Sequence, residues 1–115
     1  MKAQKNSIVK DIRNYVNQVD PTADVILYGS RARGEENPDS DWDILVLTDS
    51  VANLKTERKF RDKLYDLELK TGEVFSVFVY SKRDWQTKQK ITPFYQSVLK
   101  EGVALWQIMK NESNM

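Results

Sequence analysis

The sequence predicts an α/β domain of the α+β kind, a mixed β-sheet with helices mainly on one side. Three short apolar runs rich in β-formers, at 25–28, 44–47 and 74–80, carry the sheet, and stretches with helical periodicity stand before, between and after them. No internal repeat, linker or low-complexity stretch interrupts that order.

Ile8, Ile12, Tyr15, Val16 and Val19 recur at helical spacing until Asp20-Pro21, where proline disfavours helical geometry in the residue before it. That is the first amphipathic helix. Val25 to Tyr28 forms a short strand ending at Gly29, and Gly29-Ser30 opens a short helix; Ile44 to Leu47 is a second strand. Phe60, Leu64 and Leu67 make the stripe of a helix between residues 53 and 70, whose charged residues form its solvated face, and Thr71-Gly72 stops it. Val74 to Tyr80 is a third strand. Ser81 with Asp84 reads as a capping box, and Thr92-Pro93 starts a helix carrying Phe94, Tyr95, Val98 and Leu99 that ends at Gly102. An edge strand is expected in "VALWQI", residues 103–108. The organisation expected is one domain over 1–110 and a frayed tail over 111–115.

Composition narrows the chemistry. The 115 residues contain no Cys and no His, which removes thiol nucleophiles, imidazole bases and the usual zinc ligands. Carboxylates, hydroxyls, Lys, Arg and a hard metal remain. A net charge of +1 from 18 basic and 17 acidic residues leaves no broad footprint for duplex nucleic acid, so a nucleic-acid partner is not indicated. "MKAQKNSIVK" has no apolar signal core and no run is long enough to span a membrane, so the expectation is a soluble cytoplasmic protein. One domain of this size has little room for a separate substrate domain, and an acceptor supplied in trans is expected.

The chemistry concentrates in "LYGSRARGEENPDSDWDILVL", residues 27–47. Glycine at the end of a strand lets a ligand approach closely, and the backbone N–H groups and Ser30 hydroxyl that follow favour phosphate. Asp41 and Asp43, two residues apart in an extended chain, leave the same face while Trp42 points to the core. Two carboxylates on one face repel unless a cation sits between them, and Mg²⁺ joins such pairs to substrate phosphates. Three imitators fail. Gly29 and Gly34 have Walker A spacing, but Glu35-Glu36 stand where Lys and Ser/Thr belong. An EF-hand loop from Asp39 would need Gly at Ile44 and Glu at Ser50, and no G-x-G-x-x-G is present.

The stretch resembles the minimal nucleotidyltransferases of the DNA polymerase beta-like superfamily. Their Gly-Ser turn, continued as Arg-x-Arg-Gly, stands here as Gly29-Ser30-Arg31-Ala32-Arg33-Gly34. Their Ser-Asp-x-Asp, followed by an apolar strand, stands as Ser40-Asp41-Trp42-Asp43-Ile44-Leu45-Val46. The resemblance implies the polymerase beta-like fold, Gly29 and Ser30 gripping a triphosphate, and Asp41 and Asp43 coordinating Mg²⁺. An attacking hydroxyl would then displace pyrophosphate and take up a nucleoside monophosphate, AMP from ATP being the leading choice. For Arg31 and Arg33, phosphate contact by one of them stands beside surface ion pairs with Glu35, Glu36 or Asp39. Stand-alone domains this small are often antitoxin partners of HEPN-domain toxins, and the resemblance implies a tyrosine of such a toxin as acceptor. The alternative is a degenerate module of the same fold that binds nucleotide or partner without chemistry.

One departure from the family matters. Active members place a third acid on the following core strand, and Val74 to Tyr80 contains none. Its period of two puts Ser76 at the third acid's place, where a hydroxyl is a weak ligand and no base. Glu73 and Glu68 are the nearby acids that could reach in instead.

Overall fold

The computed structural model describes residues 2–105. Helix α1 (Lys2–Val19) leads into β1 (Asp24–Tyr28), the single-turn helix α2 (Ser30–Arg33) and β2 (Trp42–Thr48). Helix α3 (Leu54–Thr71) crosses over to β3 (Phe75–Ser81), and α4 (Lys82–Gln86), a 3₁₀ turn at Lys88–Ile91, α5 (Pro93–Glu101) and β4 (Val103–Ala104) complete the described chain. The sheet order is β3-β2-β1-β4, with β2 and β3 parallel and β1 antiparallel to both β2 and β4.

Local chemistry sets most of these boundaries. Asn53 caps α3 by accepting from the Thr56 N–H, and Gly72, in the left-handed region at φ 77°, returns its N–H to Glu68 to close the helix. The Ser81 hydroxyl accepts from Asp84 N–H at the start of α4. Thr92 accepts from Tyr95 N–H while Pro93 occupies the first turn of α5, where its missing N–H costs no helical bond.

The sheet separates two apolar layers. Ile8, Val9, Ile12 and Val16 of α1 and Phe60, Leu64 and Leu67 of α3 bury one face, against Val25, Leu27, Trp42, Ile44, Val46, Val77 and Val79. On the other face Leu45 and Leu47 meet Trp85, Tyr95 and Val98, with Phe94 half-buried among Tyr28, Phe78 and Tyr80. The two long helices therefore cover one side. The smaller second layer reaches Tyr28 through Phe94, while Asp43 and Ser76, on the same face, belong to neither apolar cluster.

Of the edge strand expected in "VALWQI", the described residues Val103 and Ala104 pair with Leu27 and Ile26 of β1, and Leu105 leaves the strand to join the α1/α3 core. Leu99, expected on the apolar stripe of α5, is 62% exposed, because Tyr95 and Val98 fill the contact with the sheet. Trp106, the remainder of that run, and the boundary and tail expected at 110–115 lie outside the described residues. No helix among the described residues is long and apolar enough to cross a membrane.

Candidate active site

The last residue of β1 and the second residue of β2 define the site. Antiparallel pairing sets Tyr28 opposite Asp43, and parallel pairing sets Ser76 of β3 on Asp43's other side. Paired residues project to the same face, so Asp43 lies in a row between Tyr28 and Ser76. Asp41, exposed, stands just ahead of β2. Trp42 points the other way and is 1% exposed, in the α1/α3 core.

Gly29 closes β1 against this row. Its φ of 74° and ψ of −158° lie where a side chain is disfavoured, and a Cβ there would overlap the Asp43 carboxylate. Only glycine allows the turn to run beside that carboxylate. The Gly29 carbonyl accepts from the N–H groups of Ala32 and Arg33, which forms α2, and Gly34 ends it in the left-handed region at φ 74°.

The two arginines of this turn part company. Arg31 is 8% exposed, and its Nε and Nη2 donate to the Ser40 carbonyl at 3.1 and 2.8 Å. Its guanidinium carbon lies 4.3 Å from the Trp42 ring centroid, and Glu73 is 3.8 Å away. Arg31 therefore braces the segment that presents Asp41 and Asp43 from beneath. The surface position allowed for it by the sequence is not where the fold puts it. Arg33 is on the site side: its Nε donates to Glu35 at 2.6 Å and its Nη1 to both carboxylate oxygens of Glu101 at 3.2 and 3.1 Å. The ion pair with Glu35 is one of those its spacing allows. Asp39 and Ser40 shape the turn ahead of β2, since Asp39 N–H donates to the Asn37 side chain, Ser40 N–H to the Asn37 carbonyl, and Asn37 N–H to the Ser40 hydroxyl.

Charge accumulates at Asp43. Burial, then Asp41's charge and Glu101's, hold its carboxyl above the usual carboxylate range against the opposing pull of Arg33. Burial, and after it the charge of Asp43, pushes the Tyr28 phenol up to about 12. Crowded, partly desolvated carboxylates are the setting a cation relieves, and the oxygen-only donors of Asp41, Asp43 and Ser76 fit a hard ion such as Mg²⁺. No group of three or more His, Cys, Asp or Glu residues able to hold a metal occurs among the described residues. Two carboxylates are what the site offers, and further oxygen ligands would come from phosphate and water.

The acids that could stand in for Ser76 are engaged elsewhere. Glu68 Oε2 accepts from Phe75 N–H at 2.7 Å, and Glu73 faces Arg31. The acid that does reach this end of the sheet is Glu101, on the last residue of α5, whose Oε1 accepts from Gly29 N–H at 3.3 Å. It lies 72 positions from Gly29, and no local pattern announces it.

The family model for the nucleotidyltransferase domain matches residues 9–105. The chain belongs to that family. This nucleotidyltransferase is 31% identical over 77 residues to a Methanocaldococcus jannaschii protein described as a protein adenylyltransferase, an alignment covering 65% of this chain and 78% of the relative. Two crystal structures share its fold. A toxin-antitoxin with AMP-PNP superposes with a TM-score of 0.61 at 21% identity, over 85% of this chain and 72% of that one. A mutant of the toxin-antitoxin MntA-HpeT gives 0.59 at 19% identity with the same coverage. The mixed four-stranded sheet with its helices is thus the nucleotidyltransferase fold, and the chain is a transferase of the minimal nucleotidyltransferase kind.

Proposed function

We propose that this nucleotidyltransferase moves AMP from ATP onto a hydroxyl of a partner protein, with Mg²⁺ held by Asp41 and Asp43. The observation that carries the reading is the seating of Asp43 between the Gly29 turn and Ser76, with Asp41's charge beside it. Adenylyl transfer is favoured by the relative described as a protein adenylyltransferase and by a structural neighbour crystallised with AMP-PNP. A protein acceptor in trans is favoured by the two toxin-antitoxin neighbours, and a tyrosine of a HEPN-type toxin is the acceptor the motif resemblance implies.

The residues divide the work. Gly29 and Ser30 receive the phosphates through backbone N–H and hydroxyl donors, and Arg33 adds a positive charge. Arg31 acts through the carboxylates' own segment: it fixes the Ser40 carbonyl and so the direction of Asp41 and Asp43. A metal held by Asp41 and Asp43 would supply charge neutralisation along the phosphates. The acceptor oxygen forms a bond to the α-phosphorus, the bond to the bridging oxygen breaks, and pyrophosphate departs. The hydroxyl proton has no carboxylate to receive it at Ser76 and passes to water.

A second reading keeps the fold, nucleotide and partner but dispenses with turnover. The same Ser76, with Glu68 and Glu73 committed to Phe75 and Arg31, is the observation in its favour. Incubating the purified chain with each α-labelled NTP, Mg²⁺ and its co-purifying proteins separates the two. Label from ATP on a tyrosine of a second protein supports transfer. Nucleotide binding without label on any protein supports the module.

A further inference from the structure

Glu101 is brought to the site by the architecture of α5 and β4. Gly102 N–H donates to the Val98 carbonyl at 2.7 Å, and a Cβ on Gly102 would lie 2.5 Å from that carbonyl and 2.9 Å from Ile26 Cγ2. The end of α5 is thereby drawn tightly onto β1. Val103 and Ala104 then pair with Leu27 and Ile26, immediately ahead of the Gly29 turn. Glu101, the residue before this junction, stands beside Gly29.

Its carboxylate makes a specific set of contacts. Oε1 accepts from Gly29 N–H at 3.3 Å, and Arg33 Nη1 donates to Oε1 and Oε2 at 3.2 and 3.1 Å. These are the backbone donor and the cation that a phosphate entering beside Asp43 would use. Glu101's side chain is 28% exposed, so a ligand can reach it. One N–H and one Nη cannot serve two anions at full strength.

We propose that Glu101 is a built-in competitor for the phosphate position, an internal anion that a polyphosphate must displace to bind, and that it sets this enzyme's affinity for nucleotide. The inference rests on the proposed role of Gly29 and Arg33 toward phosphate. Its ligand is the polyphosphate itself, so inorganic pyrophosphate and Mg·ATP should both feel it. Glu35 provides the comparison: it also pairs with Arg33, at 2.6 Å, but through Nε and with no contact to Gly29.

The test is calorimetric titration of wild type, Glu101→Gln, Glu101→Asp and Glu35→Gln with Mg·ATP and, separately, magnesium pyrophosphate. Releasing a partly exposed ion pair predicts about two- to fivefold tighter binding of both probes by Glu101→Gln. Glu101→Asp, which keeps the charge but withdraws it by one methylene, should also tighten both, and Glu35→Gln should leave them near wild type. Wild-type binding that is unchanged or weaker in both Glu101 variants overturns the proposal while leaving the nucleotide site intact. An equal gain in Glu35→Gln overturns it as well, since the effect would then be general charge. Absence of binding by every protein overturns this inference together with the assigned site.

Discussion

Ser76 lies in register with Asp43 on the neighbouring parallel strand, side chains on one face. On the proposed metal role of Asp43, this position is where a third acid would complete a two-metal arrangement. A hydroxyl there would leave the proposed cation site of Asp41 and Asp43 in place but provides no base. With Glu68 bonded to Phe75 N–H and Glu73 facing Arg31, nearby acids do not fill the gap from β3's own side of the sheet. Binding should therefore outlast chemistry.

Mg²⁺ and ATP together should stabilise the fold, and neither alone should do so strongly, because the cation joins the carboxylates to the phosphates. At a ligand concentration of ~100 times Kd, linkage predicts about 2.7 kcal/mol. Thermal unfolding of the Asp41→Asn/Asp43→Asn double variant should show no such shift. A full shift in that variant would remove the metal assignment.

Asp43 should cost stability in the ligand-free protein. Its folded-state carboxyl titrates above the unfolded one, so between those two values the folded state binds more protons and stability falls as pH rises. The penalty is complete above the folded-state value and absent below the ordinary carboxylate range. Asp43→Asn should accordingly unfold at a higher temperature than wild type at neutral pH, with the gap closing toward acid pH. Thermal midpoints of the two proteins from acid to neutral pH check the sign, and a variant less stable at neutral pH would contradict it.

The two arginines should separate stability from binding. Arg31→Lys forfeits the paired bonds to the Ser40 carbonyl and the stacking on Trp42, a loss of about 1–3 kcal/mol in denaturant unfolding. Arg33→Lys, on an exposed residue, should stay within about 0.5 kcal/mol of wild type yet weaken Mg·ATP binding. Equal destabilisation by both would refute the division of roles.

Tyr28 carries the phenol nearest Asp43 in the sheet register, yet burial and that same charge keep it protonated up to about 12. It should not serve as the acceptor. Mass spectrometry of the chain after incubation with Mg·ATP should find no AMP on Tyr28, and Tyr28→Phe should not reduce labelling of a partner protein.

Much of this site is legible in the sequence. The Gly-Ser turn, the alternating acids and the inward Trp42 follow from strand periodicity and glycine's freedom, and Ser76 follows from counting by twos along β3. The caps at Ser81 and Thr92 are likewise local chemistry. What escaped depends on tertiary placement. Arg31 and Arg33 look equivalent in sequence, and the Trp42 ring, the Ser40 carbonyl and Glu73 beneath the turn draw Arg31 inward. No local pattern marks Glu101, and the tight approach of Gly102 to Ile26 with the short β4 pairing carries it to Gly29. The 3₁₀ turn at Lys88–Ile91 has no exposed signature either, being a spacer between two capped helices.

The most direct test of the account is the transfer rate from α-labelled ATP to a co-purified acceptor protein, measured side by side for wild type, Ser76→Asp, Ser76→Ala and Glu73→Gln, with Mg·ATP binding measured on the same preparations. The account predicts slow transfer by wild type, faster transfer by Ser76→Asp, and Mg·ATP binding retained in all four proteins. Fast wild-type transfer that survives Ser76→Ala and is lost in Glu73→Gln would contradict it.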